Sequence, residues 1–403
     1  MPSSNTFQLS VKPDTIPPSL SSMLGLAIRM AQRMGLHNEA ANTRCAALEA
    51  EMRRRLWWSL VLFDSRINEI TASRVTMLVP TWDCRPPLNV NDFDLQPGMK
   101  DPPTVQGNST ESLFPVVRSE IGEFIRHSSF HLEFTNPALM PIVQHKMGTM
   151  ATLEKMIEDK YLKSCNLMNP VHFIAIWWTR GQLAKSRLIE YYSHASRSSA
   201  QLSDEQRDRS ISDALTMLEC DTRLMSSPLA KRYSWFLHSY FPFPAYIHLC
   251  QELRRQPVGA LVERSWKMMD DNYEVRSPCL GHANNPFFKL FSKVALQAWE
   301  ACESVFGELL GRSLTPPSMV SIIKQNVGQT EPHNASTAKQ PDSSSVLDMG
   351  IDVLSMSVLD VMGGQGYRGL GLGELSEPTG WDIDGNPVDR RAMDWDLMHA
   401  PGW

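Results

Sequence analysis

The chain has 403 residues, 42% of them hydrophobic and 21% charged, which is enough apolar material to bury a large core. Its 39 basic and 44 acidic residues leave a net charge of -5. That excludes a global positive field drawing the whole surface onto a phosphate backbone, so any nucleic-acid contact has to be local or borrowed.

Residues Met1 to Ser22 offer a Pro17-Pro18 pair and Lys12 as their only basic side chain, with no charged and apolar leader pattern. No apolar run approaches the roughly 20 residues needed to cross a bilayer. The expectation is a protein neither secreted nor membrane-spanning. Seven scattered cysteines (Cys45, Cys84, Cys165, Cys220, Cys250, Cys279, Cys302) fit buried, reduced thiols. Without a secretory route the sequons at Asn108 and Asn334 carry no weight.

In chain order, Leu20, Leu24, Ala27, Ala31 and Met34 make one helix face, which Gly35 caps. Leu48, Met52, Leu56, Leu60, Phe63 and Ile67 line a second helix, with Glu49 and Glu51 near its N-terminus. The stretch Pro80 to Pro115, broken by Pro86-Pro87, Pro97 and Pro102-Pro103, is expected to be irregular. Helical spacing returns over Ile174–Tyr191, Ile211–Leu218 and Phe287–Leu310, and no set of alternating strands is evident. The fold class is therefore all-α.

Four regions are expected: an irregular N-terminal segment (1–19), a large helical domain (20–314), a Gln/Asn/Ser/Thr-rich flexible linker (315–346) and an acidic, aromatic tail (347–403). Within the tail, Leu347, Ile351, Leu354, Val358 and Val361 form a stripe beside Asp348, Asp352 and Asp360. Nearer the end stands Asp394-Trp395-Asp396-Leu397. Exposed tryptophan among aspartates suits a segment that folds on a coactivator.

Three blocks stand out together: GLAIRMAQRMGLHNE at 25–39, EMRRRLWWSLVLFDSRINE at 51–69, and PPLNVNDFDL at 86–95. In order and spacing they resemble the regulatory middle homology domain of fungal zinc-cluster transcription factors. The family residues are Ala31, Gln32, Gly35, Leu36, His37, Glu51, Arg53, Arg54, Arg55, Trp57, Trp58, Asp64, Pro87, Asn89 and Asp92. The blocks at 232–259 and 263–274 are similar to that family's later half, so the resemblance covers most of Leu20 to Leu310. It departs from the family at Ser73-Arg74-Val75, where Gly-Arg-Pro is usual. It also lacks the six-cysteine zinc module, since Cys45 and Cys84 are the only cysteines before Cys165 and no Cys-x-x-Cys pair exists.

Arg53-Arg54-Arg55 could bind phosphate or direct nuclear import, but Glu49, Glu51 and Asp64 on the same helix favour internal pairing. Trp57-Trp58 and Trp177-Trp178 are expected in the core. His127 and His131, near Glu123 and Glu133, have i,i+4 spacing for a metal but no matched third ligand. Gly364-Gln365-Gly366-Tyr367-Arg368-Gly369 spells a dinucleotide-binding string, yet no βαβ unit surrounds it.

The resemblance implies a non-enzymatic transcription regulator, nuclear with a cytoplasmic fraction allowed, controlling a metabolic or secondary-metabolite gene cluster through a helical domain and an acidic activation tail. No cofactor is expected in this chain, with zinc only in a separate N-terminal module. DNA would be reached through that module or a partner factor. Coactivators, a homo- or heterodimer and a small-molecule effector are the other expected partners. Two readings stay open beside it: a partner-modulator of a full-length factor that does not bind DNA, and a ligand-binding or biosynthetic module.

Overall fold

A computed structural model of the chain describes residues 17–71, 78, 81–104, 110–128, 148–197, 203–277, 286–310 and 315–328. Among the described residues there are helices and turns but no strand, so the all-α expectation holds. The elements are α1 (Pro17–Arg33), α2 (Glu39–Asn42), α3 (Ala47–Thr71), α4 (Leu113–His127), α5 (Met150–Ile157), α6 (Pro170–Arg197), α7 (Asp204–Ser226), α8 (Ser234–Leu237), α9 (Phe243–Arg255), α10 (Ala260–Arg276), α11 (Pro286–Leu310) and α12 (Ser318–Gly328).

Local chemistry explains several boundaries. Gly35 adopts φ +71°, a left-handed conformation that favours glycine. It lets the Leu36 N–H reach the Ala31 carbonyl (3.1 Å) and the Gly35 N–H reach Gln32 (2.9 Å), closing α1. At the start of α7, Ser203 Oγ accepts from the Gln206 N–H while the Gln206 side chain accepts from the Ser203 N–H, a capping box. After α5 the chain winds more loosely over Glu158–Leu162, with the Lys163 N–H donating to the Glu158 carbonyl at 2.9 Å.

Three apolar clusters make the core. The first lies between α1 and α3 (Leu24, Ile28, Trp57, Trp58, Val61) and takes in Leu78 and Cys84. A second gathers α4, α5 and the first half of α6 with Phe236 and Leu237. The third joins the second half of α6 to α7, α9, α10, α11 and α12. α6 runs through two of them, with Ile174 to Leu183 in one and Ala184 and Leu188 in the next.

Two expectations about boundaries need correction. α12 lies inside the segment read as a linker from 315 onward, and its Met319, Val320 and Ile323 are fully buried in the third cluster. Asp270 of α10 caps it, accepting from the Met319 N–H at 2.6 Å and Ser318 Oγ at 2.8 Å. The packed domain therefore runs to α12. In the sequence the five apolar residues of α12 stand between Pro316-Pro317 and the polar stretch after Gly328, and that linker composition hides them. At the other end, α1 begins at Pro17 and α4 opens at Leu113, with Pro115 in its first turn, inside the stretch read as irregular. The tail, its Asp394–Leu397 segment, the Gly364–Gly369 string, His131 and Ser73–Val75 lie outside the described residues.

Candidate functional site

The family residues converge on one wall of the first core cluster, where α1, α2, α3 and the segment Thr81–Leu95 meet. α3 presents three consecutive arginines, and each is held by groups of this chain. Arg53 donates to the Asn42 carboxamide oxygen (2.9 Å) and to the Met34 carbonyl at the end of α1 (2.6 Å), with Glu49 at 3.6 Å. Arg54 forms a buried pair with Glu39 at 2.5 Å. Arg55 spans three partners: Glu51 Oε1 at 2.9 Å, Asp92 Oδ1 at 2.7 Å and Ser112 Oγ at 2.7 Å.

Those carboxylates also receive backbone donors from the loop. Glu39 accepts from the Arg85 N–H at 3.1 Å, and Glu51 accepts from the Leu88 N–H at 3.1 Å. Trp58 Nε1–H donates to the Arg85 carbonyl at 2.9 Å. Trp82 meets Trp57 and Trp58 edge-on, with centroids 5.6 and 6.4 Å away. Asn89 pairs with Thr110. An extended segment without strand partners thus gets its hydrogen bonds from motif side chains. The arrangement straps the loop and the start of α4 onto α3.

Of the expected residues, Ala31, Leu36, Glu51, Arg54, Trp57, Trp58, Asp64, Pro87 and Asn89 are buried. His37 lies over Trp57 at 5.7 Å, while Gln32 and Asp92 are exposed. The pairing expected for the arginine triplet is present, with one correction: Asp64 does not serve it. One turn or more further along α3, Asp64 faces Arg126 of α4 (3.4 Å) and accepts from the Leu78 N–H (3.2 Å). Arg126 also donates to the Leu78 and Val61 carbonyls at 3.0 and 2.7 Å and lies 5.0 Å over the Trp82 ring.

Electrostatics follows burial. Burial works to raise Glu39, but the Arg54 hydrogen bonds, the Arg85 N–H and both guanidinium charges hold its carboxyl below the ordinary value. At Glu51 burial prevails over Arg55, Leu88 and Arg54, and the carboxyl is raised. Burial lowers Arg126, though Asp64 opposes it.

His127 Nδ1 donates to the Glu123 carbonyl at 2.8 Å, and among the described residues no cluster of three or more metal-ligating side chains occurs. Trp178 is core as expected, whereas Trp177 is only half-buried, with Arg223 4.4 Å and Arg180 5.8 Å from its ring. Cys84, Cys220, Cys250 and Cys302 are buried, but Cys45 and Cys165 are half-buried, which corrects the expectation for those two. Burial pushes Cys84, Cys220 and Cys250 up to about 12 and Cys165 up to about 11, so all four stay protonated thiols at neutral pH.

Two polar knots in the later helices had no signal in the sequence. Arg276 of α10 pairs with Asp221 of α7 through Nε at 2.8 Å and also donates to the Leu237 and Tyr240 carbonyls. His248 of α9 places Nδ1 2.6 Å from the Tyr192 hydroxyl and Nε2 3.0 Å from Ser210 Oγ. A hydroxyl beside an imidazole has the form of a nucleophile and its base. Here both residues are almost fully buried, so no substrate reaches them.

Comparison with known proteins agrees with this geometry. Residues 4–134 match the family described as the Fungal specific transcription factor domain. The chain is 45% identical over 412 residues to Transcriptional regulator AacuB of Aspergillus aculeatus, covering 98% of this chain and 56% of that protein. It is 41% identical to Transcriptional regulator nsrM of Aspergillus novofumigatus, again over 98% of this chain and 56% of the relative. The Aurofusarin cluster transcription factor aurR2 of Gibberella zeae is 27% identical over 92% of this chain and 59% of its own length. The chain thus spans little more than half of these relatives. No solved structure matches it.

Proposed function

We propose that this chain, whose N-terminal third carries the fungal specific transcription factor domain, regulates transcription of a secondary-metabolite gene cluster. The single observation that carries this reading is the likeness, along nearly the whole chain, to proteins named as transcriptional regulators, one of them named for the aurofusarin cluster. The geometry supports it. The motif's charged groups are consumed in holding α1, α3, α4 and the loop together, which is a scaffold's use of them. The one nucleophile-like pair described above is sealed from solvent. We therefore read the chain as a non-enzymatic nuclear protein, its DNA contact made by a zinc module in a longer form or by a partner factor.

The acidic segment Asp394-Trp395-Asp396-Leu397 is the proposed coactivator contact. Fusing the chain to an unrelated DNA-binding domain and placing a reporter downstream tests this. Activation that disappears in the quadruple alanine variant is the expected result. Silence with the wild-type tail would refute an activating role. Deleting the gene and quantifying transcripts across neighbouring biosynthetic genes tests the wider reading, and an unchanged profile under producing conditions would overturn it. The partner-modulator reading is separated from a directly DNA-bound regulator by affinity purification: a full-length zinc-cluster factor recovered in stoichiometric amount favours the modulator.

A further inference from the structure

α1 has two apolar sides. Leu24, Ile28 and Ala31 are buried against α3, whereas Met23, Leu26, Met30 and, just past the end of α1 but with its N–H still on the Met30 carbonyl, Met34 are exposed by 46, 64, 57 and 53%. Steps of three, four and four put these four on one continuous stripe, turned roughly a third of a revolution from the buried side. Large apolar side chains lined up in water along more than two turns mark a contact surface.

The flank of the stripe indicates what covers it. α1 contains no acidic residue, and its only charges are Arg29 and Arg33, both exposed and one turn apart. A second copy docked stripe to stripe would bring these arginines toward their own counterparts, which like charge disfavours. The chain contains the complementary pattern elsewhere. Leu347, Ile351, Leu354, Val358 and Val361 follow steps of four and three, which would be one stripe of a helix. Asp348 and Asp352 flank that stripe one turn apart, Asp360 lies further on, and no lysine or arginine interrupts the segment. Apolar stripe matches apolar stripe, and an aspartate pair matches an arginine pair of equal spacing.

We propose that the exposed stripe of α1 is the docking site for this chain's own segment Leu347–Val361, bound as an amphipathic helix with Asp348 and Asp352 against Arg29 and Arg33. The tether is long enough. The 18 residues between Gly328 and Leu347 can extend about 60 Å. A domain of this size is about 50 Å across, so most of its surface is within reach. The contact does not depend on the transcriptional reading. If that reading holds as well, docking keeps the residues beyond Val361 tethered near α1 and makes their availability adjustable.

Methionine oxidation by dilute peroxide, read by mass spectrometry on the full chain, tests the proposal. The comparison is of each methionine with itself in wild type and in the double variant Ile351→Asp, Leu354→Asp. Met168, 76% exposed and remote in sequence, reports the reagent dose. Docking at a population of about ten to one makes Met23, Met30 and Met34 roughly tenfold slower to oxidise in wild type than in the variant, with Met168 unchanged. The pair Arg29→Glu, Arg33→Glu is expected to remove part of that protection, and adding Asp348→Arg and Asp352→Arg to restore it. Equal rates in wild type and the tail variant overturn the proposal. So does protection that survives the tail variant, which would mean that residues 1–16 cover the stripe, or, if it scales with protein concentration, that a second copy does.

Discussion

Replacing Arg55 by alanine is expected to destabilise the fold by about 3–4 kcal/mol. Most of that should come from the carboxylate left behind, not from the contacts removed. The outermost contact, to Asp92, whose side chain is 70% exposed, is a surface pair worth about 0.5 kcal/mol. The hydrogen bond to Ser112 Oγ at 2.7 Å has a charged donor and a half-buried setting, and contributes about 1 kcal/mol. Glu51 is the large term, because its side chain is 0% exposed and Arg55 Nε is its closest cation at 2.9 Å. Removing one member of a buried pair costs about 3–5 kcal/mol. Here that is reduced to about 2 kcal/mol because the Leu88 N–H still donates at 3.1 Å and Arg54 stands 3.9 Å away. Urea unfolding followed by far-ultraviolet circular dichroism measures the total, and limited proteolysis around Arg85–Leu95 reports whether the strap has opened. Adding Glu51→Gln to Arg55→Ala removes the stranded charge and is expected to recover about 1–2 kcal/mol, whereas Glu49→Ala, on the exposed side of α3, is expected to change stability by about 0.5 kcal/mol or less. A loss below about 1 kcal/mol for Arg55→Ala, or no recovery in the double variant, would refute the argument that this arginine neutralises a buried carboxylate.

Three further outcomes follow from the same structure. Burial lowers His248 to about 3 from an ordinary value near 6.5, so the unfolded chain binds more protons between those limits. Stability from this site is complete above pH 6.5 and falls by about 1.4 kcal/mol per unit as pH drops below it, a slope that His248→Gln is expected to remove in acid titrations of urea stability. Trp58 Nε1 donates to the Arg85 carbonyl, whereas Trp57 Nε1 has no partner among the described residues. Trp58→Phe is therefore expected to destabilise by about 1 kcal/mol more than Trp57→Phe, and equal losses would contradict it. At Gly35 an added Cβ would meet Ala41 Cβ at 3.5 Å, ordinary contact, so Gly35→Ala tests the φ of +71° alone and is expected to cost about 1 kcal/mol in thermal or urea unfolding.

Legibility in the sequence followed exposure. α1, α3, α6, α7 and α11 each keep enough of a polar side for their apolar positions to repeat, and all were readable. α9 was harder to see because Pro244 through Cys250 are buried in unbroken succession, and its charged residues Glu252, Arg254 and Arg255 all fall in the last turn. α4 was obscured by Pro115 behind a proline-rich stretch, and α12 by its polar surroundings. The site shows the same division. Arg53, Arg54, Arg55 and Glu51 could be named from spacing along α3, but Glu39, Ser112 and Arg126 come from other elements, and only tertiary folding brings them within reach. Asp64 shows how local pairing misleads: the triplet found other carboxylates, and Arg126 took its place.

The motif's internal wiring bears on where function must be sought. Glu51, Arg54, Trp57, Trp58, Asp64 and Asn89 are each under 10% exposed, and Arg55 directs all three of its hydrogen-bonding edges at groups of the same chain. A residue whose donors are already satisfied can recognise a partner only by giving up those bonds, at about 1–3 kcal/mol apiece when they are buried. The residues that make this chain recognisable are therefore poorly placed to contact DNA, an effector or a coactivator. Substitutions among the buried ones would act first on the stability of the domain, and a loss-of-function phenotype there would say nothing about a binding face. The α1 stripe presents the opposite case. Met23, Leu26, Met30 and Met34 could become aspartate or serine with little effect on the core, so a regulatory defect in such variants, at unchanged urea stability, would locate a contact that motif mutants cannot reveal.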